Sequence, residues 1–376
     1  MPYYLSEKSL ILMLLALVMA LSAGDLSAQK KKRKKNKPNM SIEFKLSSIY
    51  DSNILKYSDK YLDLFMNNED QGRFHIESSD DVVLHGALKL SSTYKILKKR
   101  KTRFNLDFNR RSYLVNEIKS WNSFGFGVQQ DLSKKVTVKM FYSYIPEFYI
   151  RHFRDDDWTE TYGYVPEAFQ PYAFAKDNYG LYIQRELFKK TRVRFTLSNA
   201  RYYHNQHFTE YDSNNYSYAL KAWQTLHKKL KISLAYQYTT SDAKGYDGLN
   251  ESKESSDDSD ATFVEDGLYL GLNWTIPKVL KKYHNLNIDT RYMKRYFTTE
   301  NYLEEDRIHA GRVDENIRFY VTYYIKLNKK LKLTCYYNWM LRNSTTNAVP
   351  NQVYLSNEKD YFQYQVGLGL SYKFNI

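Results

Sequence analysis

The segment Leu230–Tyr238 has the sequence LKISLAYQY, and its pattern decides how the chain folds. Every second residue is large and apolar or aromatic, and the residues between them are small or polar. The two sets are Leu230, Ile232, Leu234, Tyr236 and Tyr238 on one side, and Lys231, Ser233, Ala235 and Gln237 on the other. Because successive side chains of a β-strand point to opposite faces, this period of two predicts a strand with one apolar and one hydrophilic face.

The same period recurs from Met40 to the end of the sequence. It is clear in Arg103–Arg111 (RFNLDFNRR), in Leu331–Arg342 and in Phe362–Phe374. We count fourteen such segments of about ten residues each, within a range of about 12 to 16 strands. The segments begin near residues 40, 82, 102, 122, 135, 177, 191, 215, 230, 264, 284, 312, 330 and 360.

Short and long connections alternate strictly between these segments. Six short connections are rich in lysine, as in Leu327–Lys330, and seven long ones are often acidic, as in Ser241–Asp260 and Ile150–Lys176. Short turns at one end and long loops at the other, joined by strands of about ten residues, are typical of an antiparallel up-and-down barrel in a membrane. Within the first long connection, Asp51–Phe65 is partly amphipathic and fits a helix or an additional strand.

Composition narrows the alternatives. Aromatic residues reach 16% although the mean hydropathy is −0.66, so the chain has too much apolar surface to bury to be disordered. The single cysteine excludes an internal disulfide and a four-cysteine zinc cluster. Alternation alone also suits a soluble β-sandwich or propeller. Aromatic residues at strand ends, such as Tyr142, Trp274 and Trp339, favour a barrel with aromatic girdles at the membrane interfaces.

The first residues resemble an export signal. Leu10–Ala23 is an apolar run of 14 residues behind Lys8, too short for comfortable membrane crossing and of the length of a signal-peptide core. We predict cleavage after Ala28, with Ala23 as the alternative. The predicted organisation is a signal peptide over residues 1–28, a basic periplasmic tail over 29–39 and a transmembrane β-barrel over 40–376.

The final strand, Val366–Phe374 (VGLGLSYKF), resembles the C-terminal assembly signal of bacterial outer-membrane β-barrel proteins. The match lies in Gly369, Tyr372 and Phe374, spaced as Gly-x-x-aromatic-x-aromatic. This resemblance implies an integral protein of the outer membrane, exported by its signal peptide and in contact with lipid and glycolipid. It also implies recognition of the last strand by the barrel-assembly machinery. No particular subfamily matches, and fourteen-stranded relatives include porin-like barrels.

If the apolar faces point to lipid, the other faces line the lumen and are rich in cations. The predicted pore-lining residues are Arg103, Arg111, Lys139, Arg192, Arg194, Lys231, Arg291, Arg295, Arg318 and Lys332. Rings of Lys and Arg lower the barrier for anions. The sequence therefore predicts a passive, porin-like channel for small, preferentially anionic solutes, unless these cations only pair with acids and stiffen the wall. The first alternative is a surface adhesion or structural barrel that binds partners through its long, acidic, tyrosine-rich loops.

Catalytic and metal-binding signals are weak. His204 and His207 are weak metal candidates, and His152 beside Asp155–Asp157 is a fragment of a hydrolase site. The clustered acids of Asp242–Asp266 and Asp155–Asp157 suit calcium or magnesium, but no spacing matches a calcium loop, which favours solvated surface acids. No serine-centred motif accompanies His152, so an outer-membrane hydrolase sited on the loops ranks third. We predict no catalytic residues and no cofactor. We also predict no nucleic-acid partner, because the clustered acids of the loops would repel its phosphates. The protein is expected to be a monomer or a small homo-oligomer.

Overall fold

The computed structural model describes residues 39–70, 72–97, 100–279 and 282–376. The predicted signal peptide and nearly all of the basic tail lie outside these residues, so both stay predictions. Among the described residues, no helix has the length and apolarity that crossing a bilayer requires.

Fourteen antiparallel strands form one closed barrel in which each strand pairs with its neighbours along the chain and β14 pairs with β1. Their bounds are β1 Asn39–Asp51, β2 Asp81–Lys95, β3 Lys101–Tyr113, β4 Trp121–Asp131, β5 Val136–Arg154, β6 Phe169–Phe188, β7 Thr191–His204, β8 Ser213–His227, β9 Leu230–Ala243, β10 Phe263–Val279, β11 Lys282–Phe297, β12 Arg312–Lys326, β13 Leu331–Thr346 and β14 Tyr361–Asn375. The predicted all-β, up-and-down barrel and its strand number are confirmed.

Strand lengths differ from the prediction. The strands contain 11 to 20 residues, more than the roughly ten that cross a bilayer at the usual tilt. The largest difference is in β5 and β6, which continue as a paired hairpin to Arg154 and from Phe169, inside the segment predicted as the third loop. Register shifts between Ile145 and Phe148 and between Tyr149 and Arg151 break the alternation there, which hides the hairpin from a period-of-two pattern.

Seven long connections and the helices within them lie at one end of the barrel. By residue number they are loop 1 (52–80), loop 2 (114–120), loop 3 (155–168), loop 4 (205–212), loop 5 (244–262), loop 6 (298–311) and loop 7 (347–360). Three helices lie in them, α1 Asp59–Met66 in loop 1, α2 Asp156–Tyr162 in loop 3 and α3 Gln352–Lys359 in loop 7. Of the two alternatives for Asp51–Phe65, the helix is therefore the one that forms.

The short turns are shaped by their own polar side chains. The Asn328 side-chain oxygen accepts hydrogen bonds from the backbone N–H groups of Lys330 and Leu331, both at 2.8 Å. Ser133 Oγ similarly accepts from the N–H of Lys135 at 3.1 Å and of Val136 at 3.0 Å. Such local bonds are the reason that Asn and Ser favour turns, and they let consecutive strands reverse within a few residues.

Alternation gives the barrel an apolar exterior. Leu46, Leu234 and Leu270 are each more than half exposed on strands that are fully paired on both sides. Large apolar side chains left exposed in a closed barrel, where no backbone edge remains unpaired, need a non-aqueous surrounding. The exterior therefore fits a hydrocarbon layer, and the opposite face of each strand points into the lumen.

Candidate functional site

The ten predicted pore-lining cations all lie on inward-facing strand positions. Their positions alternate with the exposed apolar residues of the same strands, so the side chains point away from the apolar exterior. Three inward pairs place like charges directly opposite one another on neighbouring strands, namely Arg194 with Lys221, Arg291 with Arg318, and Lys326 with Lys332. Like charges in this relation destabilise a sheet unless something else compensates them.

Acidic partners account for only two of the ten cations. Arg103 makes a two-pronged pair with Asp131 at 3.1 and 3.2 Å, and Arg295 pairs with Glu265 at 2.8 Å. Within the described residues, none of the other eight has a carboxylate oxygen within 4.0 Å. The interpretation that these cations only pair with acids thus fits Arg103 and Arg295 and leaves most of the positive charge unpaired.

Aromatic rings take the place of acids beside several lumen cations. The guanidinium carbon of Arg194 lies 4.0 Å from the centre of the Tyr182 ring and 4.9 Å from that of Trp223. That of Arg291 lies 4.9 Å from the Tyr320 ring. A cation on a ring face is attracted by the ring without being neutralised, so its charge stays available to solutes.

Glycines on the inward face make room for large rings. A Cβ atom built on Gly180 would collide with the ring of Phe141 on the neighbouring strand, and one on Gly367 would collide with Tyr336. These rings therefore lie flat along the wall, in space that only a glycine leaves free. The arrangement keeps bulky side chains out of the centre of the lumen.

The long loops are joined to one another over the mouth of the barrel. Hydrogen bonds of 2.5 to 3.1 Å join loop 1 to loop 7, loop 7 to loop 6, and so on in descending order to loop 3, which is bonded back to loop 1. In that order the bonded pairs are Ser58–Asn357, Asn351–Arg307, Asp306–Asp260, Gly245–Glu210, His207–Asp155 and Tyr164–Asp70. We call loops 1 and 3–7, joined in this way, the loop cap.

An apolar core anchors the loop cap to the tall β5–β6 hairpin. Residues of loop 1 pack with residues of the hairpin in one buried cluster, Ile54, Leu55, Tyr57, Tyr61, Tyr149 and Ala173. Arg151 of β5 reaches the same loop and donates to the carbonyl of Leu55 at 2.9 Å. Because loop 1 follows β1 and lies against β5, four strands away, the loop cap narrows the mouth of the lumen.

The two histidines proposed as metal ligands are held by different carboxylates. His204 Nδ1 lies 3.4 Å from Asp212 Oδ1 and its ring stacks on Tyr172, whereas His207 Nδ1 lies 2.8 Å from Asp155 Oδ2. Among the described residues, no group of three or more side chains with metal-ligand spacing includes either histidine. In the described part of the chain, the group with metal-ligand spacing consists instead of acids of loop 5, Asp247, Glu251 and Asp258.

Asp155, one of the acids of the proposed hydrolase fragment, does not contact His152. The Tyr149 hydroxyl lies 2.7 Å from His152 Nδ1, and the His152 ring stacks on His75 at 3.5 Å. Asp155, which would have to orient His152, instead accepts from the N–H of Trp158 at the start of α2 and contacts His207. A base and its orienting acid must be within hydrogen-bonding distance, and this pair is not.

The proposed assembly signal lies at the seam between the last and first strands. Gly369 is opposite Ser47 of β1, and a Cβ on it would lie 2.5 Å from Ser47 Oγ. Tyr372 and Phe374 stack edge to face at 4.5 Å, and Phe374 also contacts Phe44 of β1. The three residues therefore help to close the barrel, and their recognition by assembly machinery stays a prediction.

Strand alternation in the sequence does not indicate four cations that lie at the top of the lumen. Lys56, Lys119, Arg151 and Lys359 come from four separate segments, three of them loops with no strand alternation to place their side chains. Only the packing of loops 1, 2 and 7 against β5 brings them together, so no local pattern could have indicated them.

No family model matches the chain, and no curated protein matches it. Among solved structures, it is similar to the outer membrane channel DcaP of Acinetobacter baumannii, with 9% identity and a TM-score of 0.45 over 92% of this chain and 100% of that one. It is also similar to an anion-selective porin from Comamonas acidovorans, with 10% identity and a TM-score of 0.41 over 90% and 99%. A loop L8 deletion mutant of OmpT, an outer membrane protein of Vibrio cholerae, gives 10% identity and a TM-score of 0.43 over 90% and 99%. These values are low, so the closed barrel and its apolar exterior carry the conclusion by themselves: the chain is an integral outer-membrane β-barrel.

Proposed function

We propose that this barrel is a passive, porin-like channel for small solutes with a preference for anions. The observation that carries the proposal is the unpaired positive charge of the lumen wall, where like charges stand opposite one another and acids neutralise only Arg103 and Arg295 of the predicted set. A wall built only for rigidity would gain by pairing these cations with acids. A wall that attracts anions requires them unpaired and in contact with water.

The size of the barrel supports a water-filled interior. Barrels of about eight strands are filled by side chains, whereas barrels of about 16 to 18 strands enclose an aqueous channel. Fourteen strands fall between these cases. The rings that lie flat on Gly180 and Gly367 leave more of the interior free than upright rings would.

Single-channel recording across a planar bilayer with a salt gradient tests the proposal. We expect steady openings with a reversal potential that favours anions. Replacing Arg194 and Arg291 together (Arg194→Gln, Arg291→Gln) should shift that potential toward zero, because both side chains lie on the inward face and no carboxylate neutralises them in the described residues. Arg201→Gln is the matched control, because Arg201 lies on the same strand as Arg194 but is exposed on the opposite face. A silent bilayer that contains correctly folded barrel would contradict the channel.

The second candidate is a surface barrel that binds partners through its loops. It is favoured by the loop cap, which narrows the mouth and leaves aromatic residues such as Tyr162, Tyr164 and Tyr302 more than half exposed. Shortening the loops distinguishes the two candidates. A channel gains conductance when loop 1 is shortened, whereas an adhesion barrel loses partner binding and its permeability does not change.

A further inference from the structure

Positive charges from distant parts of the chain converge beneath the loop cap. The ammonium of Lys56 in loop 1 lies 5.7 Å from the centre of the Tyr361 ring, and the guanidinium carbon of Arg342 in β13 lies 4.8 Å from the same ring. Arg342 Nε donates to the carbonyl of Lys359, the last residue of α3, at 2.6 Å. We call Lys56, Arg318, Arg342 and Lys359 the cationic chamber.

Two further cations form a rigid wall behind the chamber. Arg151 is 9% exposed and donates to the carbonyls of Leu55 at 2.9 Å and Lys56 at 3.3 Å. Lys119 is 5% exposed and donates to the carbonyl of Tyr149 at 2.7 Å. Their hydrogen bonds go to carbonyls, which satisfy the donors but do not cancel the charge. Arg151 also holds in place the backbone segment that carries Lys56.

The acids near the chamber are already engaged elsewhere. Asp314 is held by Arg312 at 2.6 Å, Glu358 accepts from Tyr61, and Asp51 accepts from the side chains of Gln363 and Gln365. Across the described ranges, no residue of the cationic chamber has a carboxylate oxygen within 4.0 Å. Arg318 Nε is buried without any hydrogen-bond partner.

The chamber is electrostatically strained as it stands. Burial, followed by the charges of Lys56 and Arg151, lowers the pKa of Lys119 to about 7. Burial is also the main cause that lowers the pKa of Lys359, and Arg312 adds to the effect. Gathering like charges away from water is unfavourable unless a counter-charge neutralises them.

We propose that the cationic chamber binds a small oxyanion with at least two negative charges, such as a phosphate, pyrophosphate or polycarboxylate. Besides burial, the charges of Arg318 and Arg342 lower the pKa of Lys56, and that of Arg342 also lowers the pKa of Lys359, so these cations from loops 1 and 7 and from β12 and β13 act on one another. Recognition of a multiply charged oxyanion requires several charged donors in this relation. Because Lys56 and Lys359 belong to the loop cap, and Arg318 and Arg342 to the inward face of the wall, the ligand would be a solute of the proposed channel. The inference that this ligand is transported rests on the proposed function, whereas the inference that it binds does not.

Titration calorimetry on the full barrel folded in detergent tests the proposal, with pyrophosphate and citrate as probes at low ionic strength. We expect the unaltered protein to bind at least one of them. The double variant Lys56→Gln, Lys359→Gln should bind about tenfold more weakly or worse, since two charged donors are lost. Lys60→Gln is the matched control, because Lys60 is an exposed lysine on α1, four residues from Lys56. It should bind as the unaltered protein does.

A thermal measurement keeps the test decisive if the double variant folds poorly. Pyrophosphate should raise the unfolding temperature of the unaltered protein and of Lys60→Gln equally, and that of Lys359→Gln alone by less at the same concentration. The absence of binding by the unaltered protein, or equal affinity in the double variant, overturns the proposal. Binding without conductance rejects the channel and keeps the chamber, whereas anion conductance without binding rejects the chamber alone.

Discussion

At the scale of single residues, Glu210 shows how strongly the loops restrict charge. Its side chain is 7% exposed and Oε2 has no hydrogen-bond partner. Burial, followed by the nearby charges of Asp258 and Asp247, raises the pKa of Glu210 to about 9. The folded protein therefore holds a proton that the unfolded chain has released above its ordinary pKa. Stability should fall as the pH rises between about 4.5 and 9, because the unfolded state binds fewer protons in that window.

Glu210→Gln removes this dependence. Glutamine resembles the protonated acid and cannot ionise, so at pH 7 the variant should be more stable, by on the order of 2 to 3 kcal/mol. At pH 4, where both states of Glu210 are protonated, the gain should vanish. Thermal unfolding at the two pH values checks this expectation. Glu304→Gln, an exposed acid of loop 6, should have no effect at either pH, and an equal gain in both variants would contradict the assignment.

At the scale of strands, the β1–β14 seam depends on the close approach of two backbones. A Cβ on Gly369 would lie 3.2 Å from the carbonyl oxygen of Leu46 as well as close to Ser47. Gly369→Val should therefore force the strands apart and sharply reduce the yield of folded barrel, since backbone atoms can yield little.

Gly86→Val is the matched control for this prediction. A Cβ on Gly86 would have no atom within 4 Å, so the same substitution meets open space there. Refolding yield, measured by the heat-dependent shift of gel mobility, compares the two. Equal yields would mean that the seam tolerates a side chain at Gly369.

Strand alternation was sufficient to locate most elements from the sequence. Thirteen of the fourteen strands begin within two residues of the predicted positions. The exception is β6, which begins at Phe169, eight residues before its predicted start. Above the membrane the hairpin has no lipid-facing side, and its partner β5 carries two register shifts, so no regular apolar period survives. The cations of β7 and β11 were predictable for the same reason that their strands were. The cations beneath the loop cap were not predictable, because contacts between loops determine their positions.

At the scale of the whole molecule, hydrogen bonds between loops hold the loop cap over the mouth of the barrel. Helix α1 contributes Tyr61 to the buried cluster and joins loop 7 through Tyr61 and Glu358. Replacing residues 59–66 with a flexible glycine–serine segment should detach loop 1 from β5 and raise the single-channel conductance. Removing residues 250–255 from loop 5 is the control, because that segment does not contribute to the cluster anchored on β5. An unchanged conductance in both variants would show that the narrowing lies elsewhere in the barrel.

Closure between β1 and β14 also sets the order of events during biogenesis. Ser41 of β1 pairs with Asn375 of β14. The free edge of β1 therefore stays unpaired until β14, which is synthesised last, is present. Until then β1 and the newest strand both present unsatisfied backbone groups, which is the condition under which chains aggregate. A polypeptide truncated before Tyr361 would therefore form an open sheet in which β1 and β13 are unpaired edge strands. The cell must shield or degrade such a fragment, because it cannot repair itself by local folding.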